Sequence, residues 1–197
     1  MSRHIAGKVT FVGAVIVTAA LTGAASSAPG GAAQEMPPIP KPGPEHEIFK
    51  HDEGTWDATI EMMMPDGQKM TSKGVETSRV GCGGLCLVTE FKGETMPGQP
   101  FEGQGIMTWD STKKKYIGGW ADSMSMGLSI SEGTFDPAKE TFTAWMEGPD
   151  QSGNVVKMRS VSEYKGNTRV MSIYAPGPDG RELLEPVLRI TYTKRAQ

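Results

Sequence analysis

The sequence predicts an all-β protein: an antiparallel up-and-down β-barrel of about ten strands behind a short N-terminal cap helix. Three observations carry that reading. From Trp56 onward, apolar and polar residues alternate in short runs, the period-two signature of half-buried strands. Turn signals built on Gly, Pro, Asp and Asn interrupt the alternation every eight to twelve residues or so, the spacing of an all-β domain. No helical periodicity separates the runs, so each strand can pair with the next, and closure leaves no free sheet edge.

The elements follow in order. Residues 1–28 have the layout of an export signal: Arg3, His4 and Lys8, then an apolar Val9–Leu21 stretch, then small residues to Ala28. An uncleaved anchor is the alternative. Residues 29–43 are a Pro-rich linker, which favours an extended chain and forbids helix. The domain is 44–197. Pro44 to Gly54 reads as a short helix, with Pro44 at its start, Glu45 and Glu47 at the positive end of its dipole and Gly54 as the stop. Ile48 and Phe49 face the domain.

Strands are expected at 56–64, 69–80, 87–93, 101–109, 115–122, 125–135, 141–147, 155–164, 169–175 and 183–194. Pro65-Asp66-Gly67, Gly81 to Leu85, Met96 to Gln99, Asp110 to Lys113, Asp136 to Ala138, Gly148 to Asp150, Lys165 to Asn167 and Pro176 to Gly180 supply reversals.

Composition narrows the function. The formal net charge is −3, or −5 once Arg3 and Lys8 leave with the export signal. No Lys/Arg run stands out, so a nucleic-acid partner is not expected. The three His, at 4, 46 and 51, all precede the strands. A nucleophile triad is therefore unsupported, and haem lacks an axial His. Met62-Met63-Met64 and Met124-Ser125-Met126 offer soft sulfur, but adjacent strand residues point to opposite faces, so packing explains them better than metal. No cofactor and no metal is indicated. Cys82 and Cys86 can bridge if the intervening loop has three residues and not if it has two.

Several stretches resemble the DUF1579 family: Pro44-Glu45-His46 with Gly54-Thr55-Trp56, Gly98 to Gly103, Trp120 to Ser125, Ser131 to Thr134, Tyr174 to Gly180, and Ile190 to Thr193. The resemblance covers residues 44–195 and implies the fold without an activity. Gly54-Thr55-Trp56 after a helix also resembles the calycin pattern. That pattern implies a Trp over the closed end with an Arg from the last strand, and Arg189 and Arg195 are the candidates here.

Strand parity supplies candidate site residues. Inward parity is expected for Met62, Met64, Phe91, Met107, Trp109, Trp120, Met126, Leu128, Met146 and Met158, with Gly103, Gly105 and Gly118 leaving space between them. Asp122 shares the parity of Trp120, Glu132 that of Ile130, and Glu90 lies in an otherwise apolar strand, with Arg159 as their potential partner. The leading expectation is non-covalent binding of a small apolar or amphipathic molecule, lined by Glu90, Trp109, Trp120, Asp122, Met124 and Met146. An enzyme using Glu90 or Asp122 as acid/base, and a filled structural or homo-oligomeric module, are the alternatives. Export places the protein in the periplasm or outside the cell, with no membrane partner once the signal is removed.

Overall fold

The computed structural model describes residues 38–64, 66–96, 98–150 and 152–196. The proposed export signal and all but the end of the linker lie outside the described residues. A 3-10 turn, Pro44–His46, leads into α1, Ile48–Asp52. Ten strands follow: β1 Gly54–Met63, β2 Lys69–Gly81, β3 Cys86–Met96, β4 Gln99–Asp110, β5 Lys115–Asp122, β6 Ser129–Asp136, β7 Thr141–Pro149, β8 Val155–Lys165, β9 Thr168–Tyr174 and β10 Leu188–Lys194.

Every strand pairs antiparallel with its sequence neighbours, and β1 pairs with β10 from Trp56↔Lys194 to Met62↔Leu188, which closes the barrel. The hairpins therefore alternate between two ends. Connections after β2, β4, β6 and β8 lie at the end covered by α1, and those after odd-numbered strands lie at the other. Two expected strands are shorter than the alternation suggested. Residues 125–128 and 183–187 lie in connections, because β6 begins at Ser129 and β10 at Leu188.

The core has two parts. Trp56, Ala58, Ile60, Phe91, Ile190 and Tyr192 fill the side nearest β1 and β10. Ile48 and Phe49 of α1 meet Leu87 and Tyr116 at the other, with the Phe49 and Tyr116 rings 6.2 Å apart. The Tyr116 hydroxyl donates to the Glu45 carbonyl at 2.7 Å, tying the cap to β5. Glycines let rings lie against the wall. A Cβ at Gly93 would fall 2.6 Å from the Lys73 carbonyl oxygen and 3.0 Å from Phe91. Gly103 and Gly105 seat the indole of Trp120 in the same way, so the space they vacate is filled by that ring.

Cys82 and Cys86 form a disulfide with Cα atoms 5.5 Å apart. Gly81, the last residue of β2, pairs with Cys86, the first of β3, and a 3-10 turn spans Cys82–Gly84 between them. The turn places the two sulfurs together. Among the described residues, no helix is long and apolar enough to cross a membrane.

Candidate functional site

At the closed end of the barrel α1 packs over the core, whereas the other, open end carries only hairpin connections among the described residues. Seen from the sequence, the seal is unusually polar. Arg169 of β9 projects inward and donates from Nη1 to Asp52 Oδ1 and from Nη2 to Glu76 Oε1, the latter at 2.7 Å. All three side chains are buried. Tyr164 donates to Asp52 Oδ2 at 3.1 Å, and Ser78 donates to Glu76 Oε1 at 3.3 Å. The guanidinium stacks 3.9 Å from the Tyr192 ring centroid and 5.3 Å from that of Trp56. The Trp56 indole N–H donates to the Asp52 carbonyl at 2.9 Å, linking α1 to β1.

Burial alone would lower the pKa of Arg169, but the charges of Asp52 and Glu76 drive it well above the ordinary range. Burial, with the charge of Asp52 behind it, raises Tyr164 well above its usual value. Tyr192 is raised too, again by burial first and by Glu76 second. The cluster is thus one cation shared by two carboxylates, with two phenols held neutral beside it. Such a group fixes geometry, since loss of the Arg169 cation leaves two buried carboxylates without a counter-charge.

This corrects the expectation about the partner of Trp56. Neither Arg189 nor Arg195 covers it. Arg195 lies on the surface, donating to Asp57 at 2.7 Å, and Arg189 pairs in register with Glu61 and Ser172 on the outward parity. Arg169 comes from the penultimate strand. Its signal was present: it shares parity with Met171 and Ile173, although Val170 and Tyr174 make the other face look equally apolar.

At the open end, Trp120 and Asp122 of β5 form a second network. The Trp120 Nε1–H donates to Asp122 Oδ2 at 3.0 Å, the Ser125 hydroxyl to the same oxygen at 3.1 Å, and the Met124 backbone N–H to Oδ1 at 2.9 Å. Asp122 therefore orients the indole and pins the β5–β6 connection over the rim. The connection is also held by Ser123, whose N–H donates to the Glu102 carbonyl at 2.9 Å. Phe101, Trp120, Met171 and Leu188 pack on the Trp56 cluster yet stay only partly buried. Met146 and Met158 share the inward parity of their strands and are also half-buried. They share the inner wall with smaller inward residues, Gly118 beside Ser131 and Gly133 beside Ala144 and Ser160, and the Phe142 ring fills the space at Gly133. A cleft of about 20 Å³ beside the mouth, between Met62, Lys69 and Pro186, has room for water only.

The expected site residues thus divide. Trp120, Asp122 and Met124 come together at the mouth, and Met146 lies two strands along on the inner wall. Trp109 is inward but belongs to the closed end, 4.8 Å from the Tyr116 ring. Glu90 does not join them. It is exposed on the outer face, between Thr77 and Gln104, because Leu87, Thr89 and Phe91 take the inward parity. Glu90 and Asp122 consequently share no site, and an acid/base pair made of them has no geometric support.

Glu132 also points outward, where Lys113 at 2.7 Å and Lys115 at 3.2 Å lower its pKa through hydrogen bonds and charge. Arg159 pairs with Glu182, not with any of the three acids. Met126 and Leu128 are exposed in a connection, not inward on a strand. Among the described residues, no three His, Cys, Asp or Glu converge as metal ligands.

The chain belongs to the DUF1579 family, described as a protein of unknown function, whose pattern matches residues 41–194. No curated protein matches the sequence. Among solved structures, the chain is similar to Rv2717c from M. tuberculosis, with a TM-score of 0.57 and 11% identity over 78% of this chain and 99% of that one. It is also similar to the S-type phycobiliprotein lyase CPES from Guillardia theta, with a TM-score of 0.52 and 10% identity over 77% of this chain and 92% of that one. At these identities the likeness is one of fold.

Proposed function

We propose that this family member is an exported protein that binds a small apolar or amphipathic molecule, non-covalently, through the open end of its barrel. One observation carries the reading: inward-facing apolar side chains around the mouth, Phe101, Trp120, Met146, Met158 and Leu188, remain half-buried although they point into the barrel. A soluble barrel without a guest gains by burying such groups. Its ten strands are more than the eight that just fill with side chains. Trp120 offers one ring face, since Gly103 and Gly105 take the other. The methionines can change rotamer to suit varied shapes, so the guest is apolar with little demand on outline.

The test uses an uncharged naphthylamine fluorophore titrated into the purified protein. Binding at a single saturable site, with enhanced emission, is the expected result. Ser131→Phe, which places a ring against Gly118 at the mouth, should weaken that binding roughly tenfold or more while leaving the folded circular-dichroism spectrum unchanged. Absence of uptake by folded protein would sink the proposal. Export is checked separately by intact mass: protein recovered outside the cytoplasm should lack about the first 28 residues.

A further inference from the structure

The large apolar side chains left exposed are distributed unevenly. Of the ten among the described residues, Met96 (37%), Met126 (82%), Leu128 (56%), Val155 (69%), Leu183 (39%) and Leu184 (97%) lie on or beside the β3–β4, β5–β6, β7–β8 and β9–β10 connections, while Ile106, Ile130 and Trp145 lie on the barrel wall and Ile39 precedes the cap. Hairpin alternation puts these four connections at the same end, around the mouth. The closed-end connections, Cys82–Leu85, Ser111–Lys114, Pro137–Glu140 and Gly166–Asn167, carry no such residue among the described ones. They carry Lys113, Lys114 and Lys139 instead. A ring of exposed apolar groups on one pole costs solubility and marks a contact.

We propose that the mouth docks on an uncharged, zwitterionic lipid surface, with these side chains dipping into it. The arrangement selects this occupant. The apolar groups are gathered at one pole but carried by separate connections. A fluid interface accepts such protrusions without a complementary shape, whereas a protein partner needs one. Charge excludes two rivals. Asp66, Glu94, Asp150, Asp179 and Glu185 at this end outnumber Lys69 and Arg181, and Arg181 already lies 3.7 Å from Asp179. Two copies meeting mouth to mouth would set these carboxylates against each other. Anionic lipid would be repelled by the same excess. The contact is peripheral and revises the expectation of no membrane partner. It stands apart from ligand binding: the rim can dock whether or not the barrel holds a guest.

The experiment places an environment-sensitive fluorophore on the full chain at Leu184→Cys, the native cysteines being paired. Phosphatidylcholine vesicles should shift its emission to the blue, saturably with lipid. The same label at Lys139→Cys, on the closed end, should stay unchanged, which separates rim docking from binding by the apolar 9–21 stretch. Adding Met126→Ser and Leu128→Ser should lower vesicle partitioning roughly tenfold. Including phosphatidylglycerol in the vesicles should bring no gain. The proposal is overturned by no shift at position 184, by an equal shift at 139, by tighter binding to anionic vesicles, or by a lipid-free shift that grows with protein concentration. That last outcome would make a second copy the occupant.

Discussion

The two ends of the barrel are made from the same ten strands and finished in opposite ways. At the closed end, Trp56, Ala58 and Tyr192 are at most 3% exposed, α1 covers the core, and Arg169 ties Asp52 of the cap to Glu76 of β2. At the open end, Phe101, Trp120 and Leu188 extend the same core but stop half-buried, and one carboxylate, Asp122, organises the rim. The difference assigns stability to one pole and leaves the other available for contact. Hairpin topology makes this separation economical, because connections at the mouth can vary without touching the seal.

The comparison is tested most severely by Arg169→Leu. With the cation gone, Asp52 and Glu76 are left buried and unpaired, and unfolding free energy should fall by about 3–5 kcal/mol, read from urea melts. A loss under about 1 kcal/mol would show that the closed end does not hold the fold together. In that case the polar cluster would deserve a functional explanation.

Alkali probes the same end by another route. Tyr164 and Tyr192 have raised pKa values in the folded protein, from burial first and the neighbouring carboxylate second. A group raised above its unfolded value near 10 contributes stability that is complete below about pH 10 and lost as pH climbs through the folded value. Stability should therefore decline above about pH 10 by roughly 1.4 kcal/mol per pH unit for each tyrosine still neutral in the fold. Tyr192→Phe should flatten that slope. An unchanged slope would place the phenols in contact with water.

At the mouth, Asp122→Ala strands the Trp120 indole N–H and the Met124 amide. The expected cost is about 1–3 kcal/mol, less than at the seal because the site is partly solvated. Hydrogen exchange at Met124 should accelerate while that of β1 and β10 stays slow. Equal acceleration in β1 would mean that the two ends are not independent.

Much of the fold was legible because each inward position repeats every second residue and each turn carries its own residue chemistry. The alternation from Trp56 to Met62 and the Pro65-Asp66-Gly67 reversal leave little choice of register. What escaped is what alternation cannot encode. Glu76 stands among Gly74 and Ser78 on β2, a strand whose inner face is nearly as polar as its outer one. Arg169 reads as a surface residue until Asp52, 117 residues earlier, is placed against it. Met126, Leu128 and Ile130 alternate like a strand, yet all three are exposed, so the pattern recorded an apolar exterior and not a core. The Trp120–Asp122–Met124 cluster was found because two of its members share a face, while Glu90 was drawn in by its neighbours' hydrophobicity against its own parity.

The smallest expected effect bears on the same confusion between core and surface. Leu184 is 97% exposed at the tip of the β9–β10 connection. Replacing it with Ser removes no packed contact, so the melt should move by less than about 0.5 kcal/mol. An apolar residue that contributes nothing to the fold, held in water at the mouth, lowers solubility without return unless something covers it. If Leu184→Ser instead destabilised the protein, the connection would be folding back onto the barrel in solution. The open end would then be covered by its own chain and would resemble the closed one.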